Sequence, residues 1–391
     1  MTQQIDNKAN NLIYLDNAAT SFPKPPEVYQ AVMHAMQEIG ASPGRGVYRT
    51  AMEASRLLFQ ARESVARLFG AADSSRIIFT HSATESLNMA LQGVLASGDH
   101  VVTTSMEHNS VLRPLNEMSG NGVEVTVVQA DGQGHIAPED ISKALKKNTR
   151  LIAVSHASNV CGIIQPIKAI ARIARASGVL MLVDAAQTAG ALEIDVVRDG
   201  IDLLAAAGHK GLMGPQGTGV LYVGPGITIR PLLSGGTGSD STEVFQPQGL
   251  PEGFEAGTHN LPGIAGLKAG VEFILQQGVA AIRKKEQRLT RYIAERLSGE
   301  STISFCGPGI GEERMPVLSL SIDEMDPGML AFMLDRHYGI AVRAGLHCAP
   351  EAHRSLGTFP EGTLRVSPGF FNDSNQVAIF CDAIVECIQR R

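Results

Sequence analysis

"VLMLVDAAQTAG", residues 179–190, sets five apolar residues in a row and ends them on an acid, Asp184. So short an unbroken apolar run, with glycines at 178 and 190, reads as a strand covered on both faces, the pattern of a parallel sheet. The surroundings repeat it. "RLIAVSHAS" (150–158) precedes the helical "IKAIARIARASG" (167–178), which feeds the run itself. "RIIFTH" (76–81) leads into the helical "TESLNMALQGVLA" (84–96), and "DHVVTTS" (99–105) into "NSVLRPLNEM" (109–118). "GVEVTVVQA" (122–130), "IDLLAAAG" (201–208) and "TGVLYVG" (218–224) supply further strands. This alternation predicts an α/β fold whose sheet is largely parallel, with helices on both faces and ligand chemistry beyond the carboxyl ends of the strands.

The chain has 391 residues, 44% apolar and 18% charged, enough for a large core in two domains and unlike a disordered protein. A net charge of −6 without a long basic run excludes a nucleic-acid or anionic-membrane surface and leaves a small-molecule partner. The polar opening "MTQQIDNKANN" has no apolar signal core, and no run of about 18 apolar residues occurs, so a cytoplasmic location and no membrane span are expected. The five cysteines, 161, 306, 348, 381 and 387, form no C-x-x-C pair and cannot all pair, which predicts reduced thiols and no metal site. Residues 224–262 are rich in Gly, Pro and Ser and read as a long irregular excursion, a candidate for dimer contacts and partner docking. Helical runs over 262–277 and 279–298, then an α+β stretch, predict a smaller C-terminal domain.

Three stretches at strand ends carry chemistry. Asp184 closes an apolar strand, where a carboxylate needs a cationic partner; capping the next turn is the ordinary alternative. In "LAAAGHKGLMGPQGTG" (204–219), Lys210 follows a strand inside a glycine-rich turn that holds its backbone and aims its amine inward, as a Schiff-base lysine requires. It is no P-loop, because Gly211 stands where Ser or Thr would. In "FTHSATESLNMA" (79–90), Ser82 and Thr84 bring hydroxyls to a helix start, which suits a phosphate, with N-capping as the commonplace reading. A phosphate, an aldehyde for lysine and a ring nitrogen for aspartate together describe pyridoxal 5'-phosphate. A fourth stretch, "RAGLHCAPEAH" (343–353), leaves Cys348 open as packing, metal ligand or nucleophile.

The chain resembles the cysteine desulfurases of the class V aminotransferase family of fold-type I pyridoxal phosphate enzymes. The resemblance runs through "YLDNAAT" (14–20), "SATE" (82–85), "EHNS" (107–110), "SNVCG" (158–162), "VDAAQ" (183–187), "GHKGLMGPQGTG" (208–219), "FEAGTHN" (254–260) and "RAGLHCAP" (343–350), in family order. It implies a seven-stranded large domain over 21–262, a small α+β domain over 263–391, and an N-terminal segment, 1–20, packing on the small domain. It implies that Lys210 carries the cofactor, Asp184 pairs with the ring nitrogen, Gln187 bonds the ring hydroxyl, His108 stacks on the ring, and Ala83, Thr84 and His209 surround the phosphate. Thr258 would serve the neighbour's phosphate site in a homodimer, and Asn17, Asn159, Arg343, His347 and Arg365 would receive the substrate. For Arg365 the planar guanidinium suits a carboxylate, against a surface ion pair as the alternative.

The loop around Cys348 is similar to that of the group II desulfurases. The implied reaction turns L-cysteine, or L-selenocysteine, into alanine: Lys210 moves the α-proton, and Cys348 takes the sulfur as a persulfide for a sulfur-acceptor protein that the sequence does not identify. Iron–sulfur cluster assembly and thiolation are both open as destinations. Arg343 and His347 would favour the Cys348 thiolate if they lie close. Three residues depart from the family pattern: Leu346 replaces a loop histidine, Ala207 a serine and Ala83 a phosphate-turn hydroxyl. The competing readings are selenocysteine lyase, cystine or cysteine carbon–sulfur lyase, aminotransferase and, from another class, a non-catalytic cofactor-binding regulator.

Overall fold

A computed structural model of the protein describes residues 12–44, 46–237, 242 and 244–390. The strands in chain order are β1 (Ile13–Tyr14), β2 (Ile77–Thr80), β3 (His100–Thr104), β4 (Glu124–Val128), β5 (Thr149–Ser155), β6 (Leu180–Asp184), β7 (Leu203–Ala207), β8 (Gly219–Val223), β9 (Ile303–Cys306), β10 (Leu318–Ile322), β11 (Ile340–Ala341), β12 (Arg343–Gly345) and β13 (Thr363–Val366). The helices are α1 (Pro26–His34), α2 (Arg49–Leu68), α3 (Ala83–Val94), α4 (Asn109–Gly120), α5 (Pro138–Ala144), α6 (Ile167–Ala176), α7 (Leu261–Gln277), α8 (Val279–Leu297), α9 (Pro327–Tyr338), α10 (Pro350–Ser355) and α11 (Ser374–Gln389).

The apolar run at 179–183 lies at the middle of a seven-stranded sheet in the order β2-β8-β7-β6-β5-β3-β4. Its inner pairs, β3 with β4, β3 with β5, β5 with β6 and β6 with β7, are parallel, and β8 is antiparallel to both β7 and β2. The absence of polar alternation in β6 has a direct cause: Met181 and Val183 enter one hydrophobic core while Leu182 enters the other. Helix α6 covers the first of these with Ile167, Ile170, Ala171 and Ala174, the i, i+3, i+4, i+7 stripe of an amphipathic helix.

A second, antiparallel sheet, β12-β13-β10-β9, packs with α8, α9 and α11 around a separate core. Of the N-terminal segment expected over 1–20, residues 1–11 lie outside the described residues; β1 runs parallel to β11, pairing Ile13 with Ile340 and Tyr14 with Ala341. The excursion over 224–262 contains, among its described residues, a single short 3-10 turn, Glu252–Phe254. A buried cluster anchors it. Glu255 accepts from Arg62 Nη1 at 2.6 Å, from the Phe79 amide at 2.5 Å and from His259 at 2.7 Å, and Arg62 Nη1 also donates to the Ile77 carbonyl at 2.6 Å. Arg62 and Glu255 are 6% and 7% exposed, so removing one charge strands the other in a poorly solvating interior. Arg62→Ala is expected to lower unfolding stability by about 3–5 kcal/mol, measured by urea denaturation against the parent protein.

Candidate active site

The carboxyl ends of β5, β6 and β7 converge, with Ser155 in register with Asp184 and Asp184 with Ala205. Beyond them lies a cavity of about 180 Å³. Lys210, Asp184, Gln187, His209, His108 and Thr84 line it, as do Ala83, Ala207 and Asn159. The turns after β6 and β7 are held together beside it by close backbone contact. Gly190 has φ +83°, and a Cβ there would sit 2.3 Å from the Gly211 carbonyl oxygen, while a Cβ on Gly211 would sit 2.4 Å from that of Ala189. Only glycines let the turn after β6 press on the turn carrying Lys210. That turn is further held by Ser21 Oγ, which donates to the Lys210 carbonyl at 2.8 Å, and by Lys24 Nζ, which donates to the His209 carbonyl at 2.7 Å.

Burial is the dominant electrostatic fact here. It lowers the Lys210 amine to about 8, with the nearby Asp184 charge opposing and Arg365 and Arg343 adding to the drop. Burial raises the Asp184 carboxyl, which takes a hydrogen bond from the Ala186 amide at 2.9 Å. His108 and His209 are pushed down to about 4, chiefly by burial and next by the Lys210 charge, so both rings are neutral at pH 7. His108 Nδ1 accepts from the Ser110 amide at 3.0 Å, and Ser110 Oγ lies 2.8 Å from Thr84 Oγ1, which links the two residues across the cavity mouth. Ser82 is instead the N-cap of α3, accepting from the Glu85 amide at 3.2 Å; of the two hydroxyls expected for a phosphate, only that of Thr84 lines the cavity. Gln187 Nε2 donates to the Ala18 carbonyl at 3.0 Å.

Two arginines of the second sheet lie near enough for their charges to act on Lys210 and His108, though neither lines the cavity. Arg365 is 2% exposed, so its ion pair with Asp16, at 2.6 Å, is not the surface pair considered for it; Nη1 donates to the Asn159 carbonyl at 3.0 Å. Arg343 stands directly across the β12–β13 ladder from Arg365. Like charges in that position destabilise one another unless an anion joins them. Asn17 lines a neighbouring cavity that shares Lys210 and Gln187 with the first. Thr258 lies apart, in a pocket with Thr80, His81 and His259.

Cys348 is exposed, at φ +58°, directly after His347 at φ +51°. Two successive non-glycine residues in the left-handed region cost roughly 1–2 kcal/mol each, and outside contacts hold them. Asn159 Nδ2 donates to the His347 carbonyl at 2.6 Å, and the Asn109 amide, at the start of α4, donates to the Cys348 carbonyl at 2.8 Å. His347 does not charge the thiol's surroundings as expected. Burial and then Arg365 push its ring down to about 3, and it stacks on His353 with centroids 5.5 Å apart. Asp16, Ser110 and His353 belong to the same constellation although the motifs do not single them out. All three fall in or beside those motifs, but a pattern of residue types does not show which neighbour a side chain reaches.

The residues present fit pyridoxal phosphate: an enclosed amine with a lowered pKa, a buried carboxylate, a hydroxyl at a helix start, and His209 Nδ1, a buried ring nitrogen with no hydrogen-bond partner. Among the described residues no group of three or more His, Cys, Asp or Glu is placed to hold a metal ion, and no helix is long and apolar enough to cross a membrane. The sequence model of the aminotransferase class-V family matches residues 13–380. The chain belongs to that family. Among class-V relatives, it is 37% identical over 380 residues to the probable cysteine desulfurase of Methanothermobacter thermautotrophicus, covering 96% of this chain and 94% of that one. With the probable cysteine desulfurase of Pyrococcus abyssi it shares 34% identity, covering 97% and 94%. The apo structure of the cysteine desulfurase from Thermococcus onnurineus NA1 superposes with a TM-score of 0.92 at 33% identity, covering 98% of this chain and 96% of that one. The class-V relationship accounts for the fold expected from the motifs.

Two pH dependences arise from these burials. The unprotonated amine grows as pH rises through about 8, where a solvated lysine would need about 10.4. Capture of added pyridoxal phosphate by Lys210 in cofactor-free protein should therefore speed up across pH 7–9, monitored by the growth of visible absorbance. In the same cofactor-free protein, His108, His156, His209 and His353 at about 4 and His347 at about 3 bind protons far less readily than in the unfolded chain. Their contribution is fully present above about pH 6.5 and is lost as pH falls below it. The buried Glu107 and Glu286, raised to about 8, and Asp184 and Asp202, also raised by burial, act in the opposite sense but are fewer than the five histidines. Thermal midpoints should thus rise between pH 4.5 and 6.5, measured at constant ionic strength.

Proposed function

We propose that the protein is a pyridoxal phosphate-dependent cysteine desulfurase that converts L-cysteine to L-alanine and takes the sulfur onto Cys348. The observation that carries this reading is the thiol's placement: Cys348 is exposed on a left-handed loop whose backbone is hydrogen-bonded to Asn109 and to Asn159, a residue that lines the Lys210 cavity. When bound, the cofactor supplies an electron sink that no side chain can provide.

Lys210 would hold it, Asp184 would face its ring nitrogen, Gln187 its ring hydroxyl and His108 its face. Thr84, His209 and the first turn of α3 beside Ala83 would take its phosphate. The crowded cations Arg343 and Arg365, with Asn159 and Asn17, would receive the substrate carboxylate, relieving the repulsion across the β12–β13 ladder. Lys210 Nζ, whose pKa is lowered to about 8, would move the proton at the substrate's α-carbon.

Cys348 Sγ would then attack the substrate sulfur. The new S–S bond forms as the carbon–sulfur bond breaks, and the carbon gains a proton. The sum is L-cysteine plus a thiol giving L-alanine plus a persulfide, with sulfur oxidised, carbon reduced and no outside oxidant. An exposed persulfide suits transfer to an acceptor protein.

A homodimer is part of the proposal, with Thr258 of each protomer serving its partner's phosphate site. In support, Tyr29, Met33 and Met36 on and just after α1 and Met52 and Phe59 on α2 leave apolar side chains about half exposed.

The test is alanine and sulfide release from L-cysteine with a reductant present. The parent protein should give equal amounts; Cys348→Ala should give neither above background, and Lys210→Ala should lose on the order of 10²-fold to 10⁴-fold. Alanine formed undiminished by the Cys348 variant would assign a lyase or selenocysteine-directed chemistry instead.

A further inference from the structure

Behind Cys348 the side chains of His347, His353 and Thr358 form a continuous line. His353, on α10, is fully buried, and its ring lies nearly parallel to that of His347, at 21°. His353 Nδ1 is 2.7 Å from Thr358 Oγ1, its Nε2 is 3.3 Å from His347 Nδ1, and His347 Nε2 is 3.4 Å from the Arg343 carbonyl oxygen. That last oxygen can only accept, and with both rings neutral it sets the direction of every bond before it. His347 must carry its proton on Nε2 and present a bare Nδ1. His353 must therefore donate from Nε2 and accept on Nδ1, and the Thr358 hydroxyl must donate. With neutral rings this is the one arrangement of protons that satisfies the line; Thr358 Oγ1 also lies 3.5 Å from the His353 carbonyl oxygen. Burial, which lowers the rings to about 3 and about 4, keeps them neutral at working pH.

We infer that His353 and Thr358 are positioning residues that lock the His347 ring between the Arg343 carbonyl and helix α10, and so fix the left-handed loop that presents Cys348. The lock acts at the one point in the loop where the other two tethers do not: Asn159 and Asn109 hold the carbonyls of His347 and Cys348, whereas His353 holds a side chain. Helix α10 in turn continues directly from the loop, its His353 amide donating to the Ala349 carbonyl at 3.2 Å. The loop thus folds back on a helix made from its own continuation. A displacement of about 1 Å at a reacting atom can lower a rate by about 10²-fold, so a loosened lock should show in the step that uses the thiol and not in the step that uses Lys210.

The inference rests on the desulfurase reading for its kinetic arm only. In cofactor-loaded protein, His353→Ala is expected to cut alanine formation from L-cysteine by roughly 10–100-fold, with α-proton exchange of L-alanine in deuterium oxide unchanged. Hydrogen–deuterium exchange of the peptide spanning 343–349, read by mass spectrometry, should speed up in the same variant. His353→Gln, which keeps a donor near the Nε2 position, should restore both readouts in part. Thr358→Val, which keeps the volume and removes the hydroxyl, should show the same split more weakly, and it carries the test if His353→Ala does not fold. Parent-like exchange at 343–349 and parent-like alanine formation in Thr358→Val and His353→Ala would overturn the inference, as would an equal loss of proton exchange and alanine formation. A parent protein that makes no alanine from cysteine would sink the desulfurase reading alone, and the exchange measurement would still decide the lock.

Discussion

An amine and a carboxylate buried together at the ends of neighbouring strands are the constraint around which this molecule is organised. Lys210 and Asp184 both leave water, and each loses solvation that the other restores in part. Such a pair persists only where the surrounding backbone is fixed, and the facing glycines at 190 and 211 fix it by letting two turns touch. The parallel sheet supplies the rest. Its strands are apolar on both faces because two cores sandwich them, so polar groups collect at the strand ends. The neutral histidines at 108 and 209 share a cause with the lowered lysine: a site dry enough to bring an amine down to about 8 keeps imidazoles uncharged as well.

The thiol obeys a different rule. Cys348 is exposed and on a loop, yet its position is held by contacts from both domains: the start of α4, the turn after β5, and helix α10. A nucleophile that must meet a substrate inside and then yield its cargo outside needs accessibility together with a defined location. Strain in the backbone, balanced by directional hydrogen bonds, reconciles the two.

Much of this was legible in the residues themselves. Five apolar residues ending on Asp184, the glycine-rich turn around Lys210 and the succession of strand and helix patterns decide the sheet and point to the strand ends, where Asp184 and Lys210 line one cavity. What was not legible depends on pairings across long sequence distances. Asp16 meets Arg365, 349 residues away, and no local pattern announces it. Ser82 and Thr84 look equivalent in the sequence, and only the helix geometry decides that one caps and the other faces the cavity. His347 sits beside the thiol in the chain, which suggests a charge effect; its burial against His353 removes the charge. Sequence proximity gave the right neighbourhood and the wrong electrostatics.

The short strand β1 has a consequence for how the chain comes into being. Residues 13–17 join the small domain through Ile340, Ala341 and Ser367, while Thr20 and Ser21 bond the carbonyls of His209 and Lys210. On a translating ribosome these residues emerge long before their final partners exist. The central sheet can assemble once residues 77–223 have been made, but Arg365 cannot be clamped by Asp16 until residue 365 has left the exit tunnel. The reactive centre thus forms after the central sheet, and residues 13–17 wait for partners made more than three hundred residues later.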